Sequence, residues 1–171
     1  MSDSTYMQLA LAQAAKAIGV SSPNPRVGCV LVQGDTIAGQ GHTQIAGQAH
    51  AEVVAIRDAQ VDLRGCTAYV TLEPCCHFGR TPPCVDALKA IAPARVVVAL
   101  LDANPQVAGQ GVAALRAAGI VVDVLDVAHP LAQQALELNI GFMQRMTQQR
   151  VFTRLKWAAT LDGKTALNDG R

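Results

Sequence analysis

The chain has 171 residues, of which half are hydrophobic and only 4% aromatic, and its formal net charge is +1. This length suits one domain with a core of its own and is short for two. Since no basic run exceeds two residues, the sequence lacks the clustered positive charge that is typical of nucleic-acid binding, and we expect no nucleic-acid partner.

Hydropathy and cysteine content predict the compartment. The N-terminal residues are polar, and no apolar stretch approaches the roughly 18 residues that a membrane-spanning helix requires. We therefore predict neither a signal peptide nor a membrane span. The five cysteines are an odd number, and three of them are clustered near a proline, which is typical of metal binding in a reducing compartment. We expect a cytoplasmic protein.

The first half of the chain predicts a helix, a hairpin and a second helix. Apolar residues at spacings of three and four predict a helix over 4–18 that ends before Gly19. The buried face of that helix is predicted to consist of Met7, Ala10, Leu11, Ala14 and Ile18. A proline-rich loop at 21–25 follows, then a hairpin with strands at 27–32 and 36–41, and then a helix at 50–59.

The second half predicts helices that alternate with strands. Strands are expected at 67–72, 95–100 and 120–125, and helices at 82–91, at 109–118 and from Pro130 onward. The apolar run at 96–101 is typical of a strand covered on both faces. We predict an α/β fold with three α/β/α layers around a mixed five-stranded sheet.

The segment from Arg150 onward has a different pattern. It reads as a strand that leads into a turn at Gly163. We therefore predict one domain over 1–147 and the start of a second domain, most of which is missing, over 148–171.

Two short segments carry the residues of a zinc site. A His-Ala-Glu sequence occupies 50–52, and Pro-Cys-Cys at 74–76 is followed by Cys84. One imidazole and two thiolates are the ligands of a catalytic zinc, which keeps a fourth position open, and the pattern matches the signature of zinc deaminases. We predict His50, Cys75 and Cys84 as metal ligands. Glu52 is predicted to move protons as the catalytic acid and base.

The remaining cysteines allow alternatives. Cys75 is preferred to Cys76 because neighbouring side chains point in different directions. A structural zinc site, closed by Cys76 or His77 as a fourth ligand, stays open as a non-catalytic alternative. Cys29 and Cys66 lie in or beside predicted strands and are expected in the core.

Several polar residues are candidates for holding a substrate. They lie in a rigid loop between two prolines, at the end of the hairpin, within the cysteine loop, and directly after a buried strand, where ligand crevices form. These candidates are Asn24, His42, His77, Arg80, Asp102 and Asn104.

The segments at 23–30, 50–52 and 71–84 resemble the cytidine-deaminase-like superfamily. More narrowly, the chain looks like the deaminase domain of the bifunctional riboflavin-biosynthesis family, the diaminohydroxyphosphoribosylaminopyrimidine deaminase/5-amino-6-(5-phosphoribosylamino)uracil reductases. The Gly-Arg-Thr-Pro-Pro-Cys loop is specific to this branch. The chain departs from the family pattern at Cys76, where Ser is common, and at Ala103, and it has Arg80 where Lys also occurs.

The resemblance implies a zinc-dependent hydrolytic deamination of 2,5-diamino-6-ribosylamino-4(3H)-pyrimidinone 5′-phosphate. It also implies that 148–171 begins an NADPH-dependent reductase domain, with Lys156, Ala158 and Asp162 as candidates for the reductase site. NADPH would serve only that missing domain. We expect a homo-oligomer as well. Deamination of another base or nucleoside, such as transfer-RNA adenosine, cytidine or guanine, is the alternative enzymatic function.

Overall fold

A computed structural model of the protein describes residues 1–166, so positions 167–171 of the predicted 148–171 segment lie outside the described residues. The elements are α1 Asp3–Ala15, β1 Gly28–Gln33, β2 Thr36–His42, α2 Ala51–Asp58, β3 Thr67–Val70, α3 Cys84–Ile91, β4 Arg95–Val98, α4 Gln110–Ala117, β5 Val121–Val124 and α5 Pro130–Gln148.

The strands form one sheet in the order β2-β1-β3-β4-β5. Strand β1 is antiparallel to β2 and β3, whereas β3, β4 and β5 run parallel to one another. The mixed five-stranded sheet predicted from the sequence is confirmed. The carboxyl ends of β3 and β4 lie at the same edge of the sheet, and this edge carries the loops that begin at 71 and 99.

Helices cover both faces of the sheet, which confirms the three-layer architecture. Helices α1 and α5 pack together on one side, and α2, α3 and α4 follow one another on the other. The helices approach the sheet closely because glycines face them. A Cβ at Gly28 would lie 1.9 Å from the carbonyl oxygen of Ala10, and one at Gly41 would lie 2.5 Å from that of Ala51. The second approach brings the start of α2 against the sheet.

The first helix is shorter than the sequence predicts. It ends at Ala15, and the N–H groups of residues 16–18 bond to carbonyls three residues earlier. This tighter 3₁₀ winding rotates the last residues relative to an α-helix. As a result, Ala17 is buried and Ile18, predicted to be in the core, is 56% exposed.

Two further helices begin later than predicted. His50 precedes α2 with an extended backbone, and α3 begins at Cys84 rather than at Pro82. The second shift has a simple cause: a residue followed by proline is excluded from the α region, and Pro82 is followed by Pro83. These boundaries matter because His50 and Cys84 then lie at helix starts.

The strand pattern at the beginning of the tail does not form a strand within residues 1–166. Residues 150–160 form neither helix nor strand, and Val151, Leu155 and Trp157 are more than 70% exposed. A strand needs a neighbour for its N–H and C=O groups, and within residues 1–166 none of the five strands pairs with this segment. The turn is present, since Thr160 N donates to the carbonyl of Lys164 at 2.9 Å. Within the described part of the chain, no helix has the length and apolar composition needed to cross a membrane.

Candidate metal and catalytic site

The structure brings the three predicted metal ligands together. The ligand atoms of His50, Cys75 and Cys84 all lie within 4.8 Å of one another. His50 Nδ1 is 3.1 Å from Cys84 Sγ and 3.6 Å from Cys75 Sγ. A tetrahedral zinc with bonds of about 2.1 Å to nitrogen and about 2.3 Å to sulfur sets its ligand atoms roughly 3.5–3.8 Å apart. The three side chains therefore fit a zinc ion.

Over residues 1–166, this cluster has three members, and neither Cys76 nor His77 is one of them. The Cys76 thiol instead donates to the carbonyl oxygen of Gln106 at 3.6 Å. A shell of three protein ligands is the arrangement of catalytic zinc sites, whereas structural sites use four. The geometry thus favours the catalytic reading over the structural one.

Two helix starts and one loop position these ligands. His50 immediately precedes α2, Cys84 is the first residue of α3, and Cys75 lies in the loop that follows β3. Cys75 Sγ accepts the main-chain N–H of Cys84 at 3.3 Å, and the Cys75 carbonyl accepts that of Val85 at 3.2 Å. Helix N-termini carry partial positive charge and stabilise thiolates. The fold therefore prepares the cluster for a cation that requires deprotonated sulfur.

The two thiols share protons unequally. A hydrogen bond from the Cys84 thiol, followed by one from His50, lowers the pKa of Cys75 to about 4. The same bond to Cys75, together with burial, raises the pKa of Cys84. The separate hydrogen bond between His50 and Cys75 raises the pKa of His50. On its far side, His50 Nε2 lies 3.4 Å from the Thr81 hydroxyl, the kind of contact that orients a ligating ring.

Glu52 is a buried carboxyl beside the cluster. It is 3% exposed and lines a cavity of about 250 Å³ together with His50 and Cys75. Burial, and then the negative charge of Cys75, raises the pKa of Glu52 to about 7. A carboxyl with this pKa both accepts and donates a proton near neutral pH.

Four of the predicted substrate-binding residues line the same cavity, namely Asn24, His77, Asp102 and Asn104. Burial raises the pKa of Asp102 to about 6, and its Oδ1 accepts the N–H of Asn104 at 2.8 Å. The Nδ1 atom of His77 is buried and has no hydrogen-bond partner in the part of the chain that the structure describes. The cavity therefore presents the hydrogen-bond acceptors of Asp102 and Asn104.

The other two predicted substrate-binding residues lie outside this cavity. Arg80 lines an adjoining space of about 300 Å³ that also touches Asn24 and His77. His42 is not brought to the Glu52 cavity. It lines a separate groove of about 1010 Å³ against the outer side of His50, where burial lowers its pKa.

Sequence reasoning missed the wall that α5 contributes. Phe142, Arg145 and Met146 line the cavity, and Arg145 Nη2 donates to the carbonyl of Pro23 at 2.9 Å. In the helix predicted from Pro130 onward, the sequence places Phe142 and Met146 on one apolar stripe with Leu131, Ala135 and Leu138. Such a stripe marks a buried face, but it does not distinguish a core from the wall of a cavity.

The tail candidates do not form a site in residues 1–166. Lys156, Ala158 and Asp162 are all exposed, and none of them lines the cavity that contains Glu52. The Asp162 carboxylate contacts the Thr160 hydroxyl within the turn.

Comparison with known proteins identifies close relatives. The chain is 51% identical over 168 residues to the riboflavin biosynthesis protein RibD of Aquifex aeolicus, covering 98% of this chain and 46% of the relative. It is 50% identical over 171 residues to the RibD of Escherichia coli, covering 99% and 45%. The chain thus spans about half the length of the curated relatives that it matches.

Solved structures agree with this relationship. RibD of Acinetobacter baumannii superposes with a TM-score of 0.86 at 46% identity, covering 98% of this chain and 46% of that one. A diaminohydroxyphosphoribosylaminopyrimidine deaminase/5-amino-6-(5-phosphoribosylamino)uracil reductase from Thermotoga maritima gives a TM-score of 0.88 at 40% identity, covering 97% and 47%. The resemblance read from the sequence is confirmed over nearly the whole chain.

Residues 1–100 match the cytidine and deoxycytidylate deaminase zinc-binding region, and this range contains His50, Cys75 and Cys84. The zinc cofactor predicted from the sequence is confirmed by this match and by the ligand cluster. The chain belongs to the cytidine and deoxycytidylate deaminase zinc-binding family.

Proposed function

We propose that the chain is a zinc-dependent aminohydrolase that deaminates 2,5-diamino-6-ribosylamino-4(3H)-pyrimidinone 5′-phosphate in riboflavin biosynthesis. The observation that carries the proposal is the buried Glu52 carboxyl, which lines one cavity together with His50 and Cys75 of the three-residue metal cluster. The relatives' names supply the pathway, and the Thermotoga maritima relative's name supplies the ring chemistry.

The reaction exchanges the ring amine for oxygen, with water consumed and ammonia released. A zinc ion held by His50, Cys75 and Cys84 would supply the positive charge that lowers the pKa of water from about 15.7 toward 7. Glu52 accepts the proton lost by the water and delivers it to the ring nitrogen beside the reacting carbon. After the oxygen has added to the ring carbon, Glu52 takes the remaining proton of that hydroxyl group and gives it to the amine, so that the C–N bond breaks, the C=O bond forms and ammonia leaves. One carboxyl thus serves successive proton transfers.

The polar residues of the cavity would hold the substrate. Asp102 and Asn104 offer acceptors for ring amino groups, while Asn24 and His77, which line the same cavity, offer further hydrogen bonds. Arg80, in the adjoining space, supplies a cation for the phosphate. The two spaces share Asn24 and His77, so one elongated substrate would reach both.

The direct test is ammonia release by the zinc-loaded chain. We expect turnover of the phosphorylated diaminopyrimidine, and at least about a hundredfold lower efficiency on cytidine, guanine or a transfer-RNA anticodon stem, because hydrogen-bonding sites reject poorly matched analogues strongly. A zinc-loaded chain that releases ammonia faster from one of those alternatives would replace the proposed substrate. A chain that binds zinc and deaminates none of them would favour the structural zinc module.

The tail carries a second, separate proposal. In a longer chain, we propose that 148–171 begins an NADPH-dependent reductase domain to which Lys156, Ala158 and Asp162 belong. The support is the matched relative from Thermotoga maritima, whose name includes a reductase and of which this chain covers 47%. Titration of this chain with NADPH, followed by nicotinamide fluorescence, should show no saturable binding, because a cofactor pocket needs walls from several elements. Micromolar binding would show that the boundary near 148 is misplaced.

For the same protein we propose a cytoplasmic location and a homo-oligomer. The location is supported by the need to keep the thiols of Cys75 and Cys84 reduced for the metal. Sedimentation of the zinc-loaded chain tests the oligomer, and a monomer at working concentrations would contradict it.

A further inference from the structure

A buried carboxylate that the proposed reaction does not use joins the metal-ligand segment to two neighbouring elements. Glu73 is 3% exposed and precedes Cys75 by two residues. Its Oε2 accepts the main-chain N–H groups of Asp102 at 3.2 Å and of Gly109 at 2.9 Å, and its Oε1 accepts that of Val112 at 3.1 Å. Three donors from outside its own segment therefore converge on one side chain.

The start of α4 depends on this carboxylate because the helix has no cap of its own. Its N-cap residue is Gly109, with φ +89°, and no side-chain hydrogen bond closes the first turn. In a capping box, local side chains satisfy the N–H groups of the N-cap and of the third helical residue. Here those two groups belong to Gly109 and Val112, and Glu73 accepts both from another part of the chain. Its negative charge also lies at the positive end of the helix.

Close packing reinforces the hydrogen bonds. A Cβ at Gly111 would lie 2.1 Å from the carbonyl oxygen of Pro74 and 3.2 Å from Glu73 Oε1. The first turn of α4 is therefore in direct contact with the peptide that leads into Cys75. Only a hydrogen atom fits at this position.

The third hydrogen bond extends the contact to the substrate side of the cavity. Asp102 donates its N–H to Glu73, its own carboxylate accepts the N–H of Asn104, and both side chains line the cavity. The main-chain N–H of Glu73 in turn donates to the carbonyl of Leu100 at 2.9 Å. Glu73 therefore holds the 102–104 loop at a fixed place relative to the loop that carries the metal ligand Cys75.

We infer that Glu73 is a positioning residue, which sets the distance between Cys75 and the 102–104 loop by anchoring that loop and the start of α4. It acts through Asp102 and the main chain. The kinetic consequence rests on the proposed function, but the structural consequence does not.

The test compares Glu73→Gln with the unchanged protein. Glutamine has the same shape, but it replaces one acceptor oxygen by an NH₂ group that faces N–H donors. Since one oxygen remains, amide hydrogen exchange should become about ten- to a hundredfold faster at Val112 if the NH₂ group replaces Oε1, or at Asp102 and Gly109 if it replaces Oε2. Exchange in β1 and β2 should stay the same, and the zinc content should remain one per chain. The KM for the pyrimidine phosphate should rise by about tenfold or more, with a smaller fall in kcat.

A matched control separates positioning from loss of stability. Asp3→Asn breaks hydrogen bonds from Tyr69 and Arg95, at the opposite end of the parallel strands. Each variant is assayed at the temperature at which its free energy of unfolding has the same chosen value. Under these matched conditions, only Glu73→Gln should raise KM. If Glu73→Gln does not fold, Glu73→Asp, which keeps the charge with a shorter reach, replaces it in the same comparison.

Two results would overturn the inference: a KM change no larger than that of Asp3→Asn, or unchanged exchange at Gly109 and Val112. If the unchanged protein does not deaminate the pyrimidine phosphate, the proposed function fails. The exchange measurement then still decides whether Glu73 holds the loop and the helix start.

Discussion

The side chain of Asn139 pairs with the main chain of Arg26 in both directions. Its Oδ1 accepts the Arg26 N–H at 2.7 Å, and its Nδ2 donates to the Arg26 carbonyl at 2.9 Å. Asn139 lies on α5 and is 3% exposed. The pair thereby joins the last helix to the 23–26 loop, which carries Asn24 into the cavity.

Replacing this amide should loosen the loop. We expect Asn139→Leu to lower the free energy of unfolding by about 2–4 kcal/mol, because it leaves the part-buried N–H and C=O of Arg26 without partners. The KM of the deamination should rise because Asn24 loses its support, while the zinc content stays at one per chain. Chemical denaturation, metal analysis and initial rates measure the three quantities.

The control is Gln134→Ala, which removes an amide from the exposed face of the same helix. It should change the free energy of unfolding by less than about 0.5 kcal/mol. Equal effects of the two substitutions would show that the pairing with Arg26 contributes nothing specific.

The two adjacent cysteines should differ sharply as metal ligands. Cys75→Ser should lose most of the bound zinc, because its thiol belongs to the three-residue cluster that fits a zinc ion. Cys76→Ser should keep the metal, since its thiol is directed to the Gln106 carbonyl. Metal analysis after dialysis measures both, and zinc retained by the first variant but lost by the second would reverse the ligand assignment.

Glu52→Gln should separate metal binding from catalysis. The amide is similar in size and leaves the three ligands in place, but it does not carry a proton between water, ring nitrogen and amine. We expect zinc content and fold to persist and kcat to fall by about 10²–10⁴-fold or more. Glu137→Gln, on the exposed side of α5, is the matched control and should retain full activity. A Glu52 variant within threefold of the unchanged protein would remove this residue from the mechanism.

The sequence predicted that His50, Cys75 and Cys84 lie close together, as the structure shows. A histidine and two cysteines at this spacing are the ligand types of zinc, and few other kinds of site need all three. It predicted the strands because continuous apolar runs such as 96–101 need cover on both faces. It did not predict the contribution of Asn139 or Glu73, since a buried amide or acid shows its role only through partners distant in the chain. His42 was selected by residue type, although the fold directs it to a different groove.

The tail does not form its strand within residues 1–166 for a related reason. Residues 151–157 have the composition of a strand, but strand formation is decided by a neighbour that pairs with it. Within residues 1–166, the edge strands β2 and β5 do not take this segment as a partner. The amino-acid pattern of 151–157 alone is therefore not sufficient to predict that these residues form a strand.

The last prediction concerns pH and an ion-pair network far from the cavity. Arg95 donates to both carboxylate oxygens of Asp3, at 3.0 and 2.9 Å, and to Asp123 at 2.6 Å, while the Tyr69 hydroxyl donates to Asp3 at 2.6 Å. The hydrogen bonds from Arg95, followed by that from Tyr69, lower the pKa of Asp3 in the folded state. The network ties the start of α1 to β3, β4 and β5.

Because the folded-state pKa is the lower one, the network stabilises the protein fully above the unfolded-state pKa of about 3.9 and loses this effect as the pH falls through the folded-state pKa. The Asp3 side chain is 51% exposed, so solvent screening limits the expected contribution to about 1 kcal/mol. Asp3→Asn should therefore be less stable than the unchanged protein at pH 6, and the gap should narrow as the pH falls below about 4. Thermal unfolding at both pH values measures it, with Asp62→Asn, whose exposed side chain pairs with Arg64 in the same loop, as the control. A gap that stays constant from pH 6 to the acid limit would show that the Asp3 carboxylate charge does not stabilise the fold.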